Sequence, residues 1–182
     1  AACPYFGIRA YGVHMNGFVR KPDGIYMWVA RRDPTKKTYP GLLDNMVAGG
    51  QPIGLSLLEN LAKESEEEAG IPPGLAHQAT PVSLISYTHL MPDRPKGGVK
   101  PDQMFCYDLE VPEDFEPIPV DGEVESFQLM PIRDVAKIVR DTFDFKFNCN
   151  LVIIDFLIRH GIISPDNESD YAALVHGLRS GK

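Results

Sequence analysis

The stretch of sequence that decides the fold is Gly49–Ile71, which reads GGQPIGLSLLENLAKESEEEAGI. Its central part, Ser56–Ala69, has the features of an α-helix. Ser56 and Glu59 form a capping box, in which each side chain accepts a hydrogen bond from a backbone amide of the first turn. Gly70 can adopt the left-handed conformation that commonly ends a helix. The sequence therefore predicts a helix over Ser56–Ala69.

Three acidic side chains share one face of this predicted helix. Glu64, Glu67 and Glu68 are three and four positions apart, or adjacent, and this spacing brings residues together on a helix surface. Their mutual repulsion should raise at least one pKa unless a cation lies among them, and hard divalent ions prefer carboxylate oxygens. A glutamate-rich helical face is also commonly plain solvated surface. Gly49 and Gly50, where the backbone can approach another group closely, favour a site in which the three glutamates hold Mg²⁺ (or Mn²⁺).

The same stretch resembles the signature of the Nudix hydrolase family, G-x5-E-x7-R-E-U-x-E-E-x-G-U, where U is a bulky apolar residue. The matching positions are Gly49, Glu64, Glu67, Glu68, Gly70 and Ile71, and the departures are Leu55, Lys63 and Ser65. Lys63 stands where the family has an arginine and lacks its bidentate fork. We therefore expect Lys63 to pair with Glu59, four residues earlier, and to position Glu64 more loosely.

The resemblance extends over nearly all of the chain. Met15–Arg20, Asp33–Gly50, Asp121–Phe127 and Phe156–Gly161 are similar to the thiamine-pyrophosphokinase-related Nudix proteins of fungi, plants and bacteria. This resemblance implies an α/β fold, the Nudix α/β/α sandwich with a mixed sheet. It also implies that residues 1–182 form a single Nudix domain, and that the further domain which usually precedes it in this subgroup is largely absent.

The resemblance also implies a reaction. Nudix enzymes hydrolyse a small-molecule diphosphate to a monophosphate by attack of water on phosphorus, and the subgroup points to thiamine diphosphate or its oxidised analogues. Glu64 itself is one candidate for the general base. Glu123 and Glu125 are others, because they alternate on one predicted strand and so face the same way; a solvated strand face is the alternative for this pair.

Positive charge in the acidic chain is densest on the loop that holds Arg31, Arg32, Lys36 and Lys37, just before Gly49–Ile71. We expect this loop to clamp the distal phosphate, although exposed lysines are more often merely solubilising. The predicted substrate-binding residues are Arg31, Arg32, Lys36, Lys37, Gly49 and Gly50.

Composition narrows the class of protein. The chain has 182 residues, of which 43% are hydrophobic, so it can form one compact domain. Its net charge of −7 argues against binding to the phosphates of a nucleic acid. No apolar run approaches the roughly 20 residues of a membrane helix. The three cysteines show no ligand spacing, and we expect Cys106 and Cys149 in the core. This cysteine usage favours a reducing, intracellular location, cytoplasmic or organellar.

The other predicted elements surround this helix. We predict a β-hairpin with strands over Tyr11–Val19 and Ile25–Ala30 and a turn at Lys21–Gly24. We also predict strands over Val82–Thr88, Met104–Leu109 and Val124–Leu129, a loop over Met91–Pro101, and helices over Pro131–Arg140 and Leu151–Arg159. Asn148 is the expected cap of the last helix, whose apolar surface indicates burial in the core or at a homodimer contact.

Two alternatives to the hydrolase stay open. Leu55 and Lys63 motivate a non-catalytic Nudix module that binds a diphosphate metabolite or a partner chain. An isomerase acting on an allylic diphosphate would share the fold, but no cysteine lies in a recognisable catalytic context.

Overall fold

The computed structural model describes residues 6–90 and 98–180. Its strands are β1 (Ala10–Lys21), β2 (Gly24–Arg32), β3 (Leu43–Asp44), β4 (Val47–Gly50), β5 (Thr80–Leu90), β6 (Val99–Glu110) and β7 (Val124–Pro131). Its helices are α1 (Leu57–Ala69), α2 (Pro73–Ala76), α3 (Ile132–Asp141), α4 (Phe147–Arg159) and α5 (Tyr171–Gly177).

The strands form one mixed sheet in the order β3-β2-β1-β6-β5, with β4 also pairing with β1 and β7 with β2. β1 and β6 run parallel, whereas the other pairs are antiparallel. β1 and β2 form the predicted hairpin, closed where Lys21 pairs with Gly24. Gly24 has a φ of 143°, which a residue with a side chain rarely adopts.

Alternation along β1 supplies both faces of the sheet with core residues. Val13 and Met15 pack in a cluster with Leu61 of α1, while Phe18 packs in another with Phe156 of α4. Helices therefore cover both faces, and the predicted α/β/α sandwich is confirmed. Among the described helices, none combines the length and apolar character needed to cross a membrane.

The predicted helix over Ser56–Ala69 is confirmed in detail. Both hydrogen bonds of the capping box are present, and α1 begins one residue after Ser56. Gly70 ends it with a φ of 63°. This helix is correctly predicted because its start and stop depend on local hydrogen bonds.

The prediction for α4 is wrong at its start. The helix begins at Phe147, and Asn148 lies inside it rather than capping it. The Asn148 side chain is buried and points to Sδ of Met104, 3.5 Å away, so packing rather than capping fixes this residue. Apolar residues of α4 are buried within the chain itself, as are Cys106 and Cys149.

The predicted loop over Met91–Pro101 is partly wrong. Residues 91–97 lie outside the described part of the chain, but Val99–Pro101 belong to β6. Lys100 pairs with His89 in the ladder between β5 and β6, so the two strands extend further towards their connecting loop than predicted.

Candidate functional site

Two glutamates of α1 converge on the short strand β4. Oε2 of Glu68 accepts a hydrogen bond from the Ala48 amide at 3.0 Å. Glu64 lies against Gly49 so closely that a Cβ on Gly49 would come within 2.3 Å of its Cγ and 2.7 Å of its Oε2. Gly49 is therefore the residue that allows the Glu64 carboxylate to lie over the strand.

A third side chain of the helix completes this attachment. Nδ2 of Asn60, one turn before Glu64, donates to the Gly50 carbonyl at 3.1 Å. Three α1 residues at intervals of four thus contact three consecutive residues of β4. The helix and the glycine-bearing strand form one rigid unit, in which both predicted glycines and two of the three predicted metal ligands lie together.

Glu67 points elsewhere, and the expected partner of Lys63 is wrong. Nζ of Lys63 lies 2.5 Å from Oε2 of Glu67 and 3.5 Å from Oε1 of Glu64. Glu59 is not available to Lys63, because its carboxylate accepts the Ser56 amide in the capping box. Lys63 therefore bridges two of the glutamates that the sequence predicted as metal ligands.

Beside Glu68 lies a small polar cavity of about 10 Å³, close to the space that one water molecule needs. It is lined by Ala30, Arg32, Asp44, Asn45, Ala48, Glu68, Glu123 and Val124. Burial raises the pKa of Glu68 to about 8, although the Ala48 amide opposes this shift. The neighbouring carboxylates of Asp44, Glu64 and Asp121 raise it further. Glu68 is therefore a half-buried acid among negative charges.

Asp44, on the other side of this cavity, is surrounded by donors. Its carboxylate is reached by Arg32 at 2.7 Å and Lys146 at 3.4 Å, and by the Cys149 thiol at 2.7 Å. Burial alone would raise its pKa, but Lys146, Cys149 and Arg32 together hold the pKa of Asp44 below its usual value. Asp44 is thus a paired, structural carboxylate.

The structure separates the two predicted acids of β7. Glu123 precedes the strand and lines the small cavity, with Lys36 as its ion-pair partner. Glu125 is exposed and lies outside that cavity. The register between β2 and β7 shifts at this point, so regular alternation does not hold. Of the two acids, the structure therefore brings only Glu123 to the small cavity.

The predicted basic loop does not gather into one clamp. Arg32 is committed to Asp44 and to the Thr38 and Tyr39 carbonyls. Arg31 donates to the Gly41 carbonyl at 2.8 Å, while Lys37 is exposed.

The donor set near β4 fits a hard divalent cation in its chemistry. Glu64 and Glu68 supply carboxylate oxygens, and a cation would relieve the repulsion that raises the pKa of Glu68. Within residues 6–90 and 98–180, however, no three acidic, histidine or cysteine side chains are already arranged closely enough to form a metal site. To complete the predicted set of three metal ligands, Glu67 would have to leave its ion pair with Lys63 and bind the metal.

A larger cavity of about 220 Å³ opens on the other side of Ala48–Gly50. It is bounded by β1, β4, β6 and the start of α4, and its lining includes His14, Tyr87, Lys100, Asp102, Lys146 and Asn148. No role in ligand binding was predicted for His14, Lys100, Asp102, Lys146 or Asn148. One signal was present in the sequence: His14 and Asn16 are polar residues at alternate positions in an otherwise apolar strand, which indicates a buried polar row.

That row is a continuous chain of hydrogen bonds. Nδ2 of Asn16 donates to Asp108 at 3.1 Å, and Nδ2 of Asn45 donates to Asn16 at 3.1 Å. Because the Asp108 carboxylate can only accept, both amides are oriented, and Nδ1 of His14 donates to Oδ1 of Asn45 at 3.0 Å. Burial lowers the pKa of His14 to about 4, so the ring is neutral and its Nε2 is an acceptor.

The structure divides the aromatic residues near the site between the core and the larger cavity. Trp28 and Tyr107 are buried in the core, whereas Tyr87 lines the larger cavity. Phe147 at the start of α4 contacts Tyr87 and Tyr39 edge to face. An aromatic cluster therefore borders this cavity.

The sequence has close relatives in plants. It is 52% identical over 180 residues to "Nudix hydrolase 20, chloroplastic" of Arabidopsis thaliana, covering 99% of this chain and 47% of that protein. It is 49% identical over 181 residues to "Nudix hydrolase 24, chloroplastic" of the same plant, covering 100% of this chain and 48% of that protein. The chain thus spans about half the length of the curated relatives it matches.

Solved structures share the fold at low sequence identity. The NUDIX domain of Shewanella oneidensis NrtR, complexed with ADP ribose, superposes with a TM-score of 0.62 at 13% identity, covering 87% of this chain and 92% of that one. The E. coli dihydroneopterin triphosphate pyrophosphohydrolase gives a TM-score of 0.59 at 14% identity, covering 82% and 95%. The NUDIX domain model matches residues 10–151. With most of its length matched by that model, the chain belongs to the Nudix family.

Proposed function

We propose that this protein hydrolyses a small-molecule diphosphate to a monophosphate with Mg²⁺ or Mn²⁺. The observation that carries the proposal is the attachment of α1 to β4, which sets Glu64 and Glu68 beside a backbone with two glycines. Such a unit offers carboxylates for a metal and an open backbone for phosphate. Paired catalytic and binding groups on rigid elements favour catalysis over loose anion binding.

The glutamates of the site would have two roles, metal binding and proton abstraction. Glu64 and Glu68, with Glu67 once it leaves Lys63, would hold the metal, which neutralises phosphate charge and lowers the pKa of the attacking water. Glu64 and Glu123 are the candidates for the base that takes the proton from this water. Glu125 is less suitable, because it lies outside the small cavity.

For the substrate we infer thiamine diphosphate or its oxidised analogues. The support is the resemblance of the chain to thiamine-related Nudix proteins. For the location we infer an organelle, since both Arabidopsis relatives are named chloroplastic.

The test is release of phosphate from thiamine diphosphate, its oxidised analogues and a panel of other organic diphosphates, in the presence of Mg²⁺ or Mn²⁺. We expect Glu64→Gln to reduce the rate on the order of 10²-fold or more. Glu66→Gln is the matched control, because Glu66 is an exposed residue of the same helix. Equal rates for the wild type and Glu64→Gln would overturn the assignment of the site.

The second candidate is a non-catalytic module that binds a diphosphate. It is favoured by the contact of Lys63 with Glu67 and Glu64, since an ammonium group there competes with a metal. Tight binding of a diphosphate, with no turnover of any compound in the panel, would support this candidate instead.

A further inference from the structure

The larger cavity beside β4 has room for part of a ligand. Its volume of about 220 Å³ is below the roughly 300–1,000 Å³ of pockets that enclose a drug-sized molecule. It therefore suits one ring system rather than a whole substrate. Ala48 lines both this cavity and the small polar cavity of Glu68, so a ring bound here lies next to the proposed site of phosphate chemistry.

Asp102 is the unusual residue of this cavity. It lies on β6 and only 7% of its surface is exposed. Its Oδ1 pairs with Nζ of Lys100 at 3.0 Å. Its buried Oδ2 has no hydrogen-bond partner in the described part of the chain. An unsatisfied buried acceptor is costly, and in a native protein it calls for an explanation.

The neighbours of Asp102 do not meet this need. His14 lines the same cavity, but its Nδ1–H is used by Asn45 and its Nε2 is itself an acceptor. Tyr87 is opposite Asp102 in the ladder between β5 and β6. Burial raises the pKa of the Tyr87 hydroxyl, and the Asp102 carboxylate lies close enough to raise it further. The hydroxyl nevertheless does not reach Oδ2 with hydrogen-bond geometry, so Oδ2 stays without a partner among the described residues. The cavity therefore holds two acceptors, on Asp102 and His14, that a ligand with N–H groups would satisfy.

We propose that Oδ2 of Asp102 accepts a hydrogen bond from an N–H group on the heterocyclic part of the substrate. Asp102 is then a specificity-determining residue, and the substrate class is a diphosphate whose ring carries an exocyclic amino group or a ring N–H. This inference rests on the proposed function, because it concerns the organic part of the same diphosphate.

Binding of a reaction product tests this inference separately from catalysis. The probes are thiamine monophosphate, which has an exocyclic amino group, and its 4-oxo analogue, which has a ring N–H. Methylenediphosphonate, which has no N–H group, is the control ligand. Affinities are measured by calorimetry with Mg²⁺ present, for the wild type and Asp102→Asn.

We expect Asp102→Asn to weaken binding of at least one N–H probe by about 10- to 100-fold, the range for a hydrogen bond to a charged group. In the Asp102→Asn variant the amide oxygen is expected to stay beside Nζ of Lys100. The NH2 group then takes the place of Oδ2, and it cannot accept a hydrogen bond from an N–H group of the ligand. Methylenediphosphonate should bind both proteins equally, and whichever N–H probe is affected identifies the donor.

Two control variants keep the outcome interpretable. Asp134→Asn removes an exposed carboxylate of α3 and should leave all affinities unchanged. Asp102→Glu retains the charge and should give an intermediate loss if Asp102→Asn does not fold. The inference is overturned if neither N–H probe binds the wild type more tightly than the Asp102 variants. Selective binding without hydrolysis would leave it standing and overturn the hydrolase proposal alone.

Discussion

Asp44 and Glu68 line the same small cavity, yet their environments are opposite. Asp44 has two basic side chains and a thiol within reach, and its pKa is lowered despite burial. Glu68 has one backbone amide and three negative neighbours, and its pKa is raised to about 8. Desolvation raises the pKa of both carboxyl groups, so the opposite directions of the two shifts come from their partners.

This contrast separates a structural carboxylate from a candidate functional one. The charge of Asp44 is already neutralised by protein groups, and it joins β2, β3 and α4. Within residues 6–90 and 98–180, no basic side chain is among the groups that shift the pKa of Glu68, so an external cation can be accommodated there. Perturbed acids in such positions are candidates for function.

The largest expected effect is on stability, at the paired acid. Asp44→Asn leaves Arg32 and Lys146 without their buried counter-charge, so we expect the free energy of unfolding to fall by roughly 3–5 kcal/mol. Chemical denaturation measures this change. Asp134→Asn, which breaks an exposed pair with Lys137, is the control and should cost far less. A small loss for Asp44→Asn would mean that its partners do not stabilise the fold.

Glu68→Gln should reduce activity rather than stability. Activity is expected to fall on the order of 10²–10³-fold, which corresponds to about 3–4 kcal/mol in the barrier. Stability should not fall, because no basic side chain loses a partner and the new amide oxygen can still accept the Ala48 amide. Turnover assays and thermal unfolding of the same preparation check both halves. A destabilised Glu68→Gln protein would remove the contrast with Asp44.

The buried side chain of His14 extends the comparison to the pH dependence of stability. Its pKa is about 4 in the folded protein against 6.5 as its ordinary value. Between these values the unfolded chain binds a proton that the folded chain does not, so stability falls as pH drops from 6.5 towards 4. The loss amounts to at most about 3 kcal/mol.

The measurement is the free energy of unfolding of the wild type and His14→Asn at several pH values. Asparagine can keep the donor to Asn45 but does not titrate, so the difference between the two proteins isolates His14. Parallel pH profiles for the two proteins would show that this ring is not held neutral.

The smallest effect is expected at Lys63, which is exposed and bridges Glu64 and Glu67. Lys63→Met should leave stability nearly unchanged, since exposed ion pairs contribute little. It should let Mg²⁺ bind a few-fold more tightly, because an ammonium group no longer competes for the carboxylates. Calorimetric titration with Mg²⁺ tests this, with Lys137→Met as the control. Weaker Mg²⁺ binding would indicate that Lys63 supports the site instead.

Regular local patterns were the predictable part of the fold. The capping box, Gly70 and the hairpin turn are satisfied within a few residues, so α1 and the β1–β2 hairpin could be identified without tertiary information. The prediction that Asn148 caps α4 was wrong because this residue, of a type that commonly caps helices, is here buried against β6. Regular alternation failed at Glu125 because the β2–β7 register shifts beside it.

The candidate site was predictable only in part, for the same reason. Spacing along one helix put Glu64 and Glu68 on a common face. It could not reveal that Glu67 would be held by Lys63, because several partners were within reach. Residues of the larger cavity come from strands and a helix far apart in sequence, and Asp102 in particular carries no local signature.

The sequence by itself determined the family, the helix that carries the acids and the glycines that let the chain pass close to them, because these depend on contacts within about 25 residues. Only the tertiary structure decided which acids are charged and which are free to bind. That depends on how many cations and amides surround each buried carboxylate, and those groups are brought together from β2, β4 and α4 only when the chain has folded.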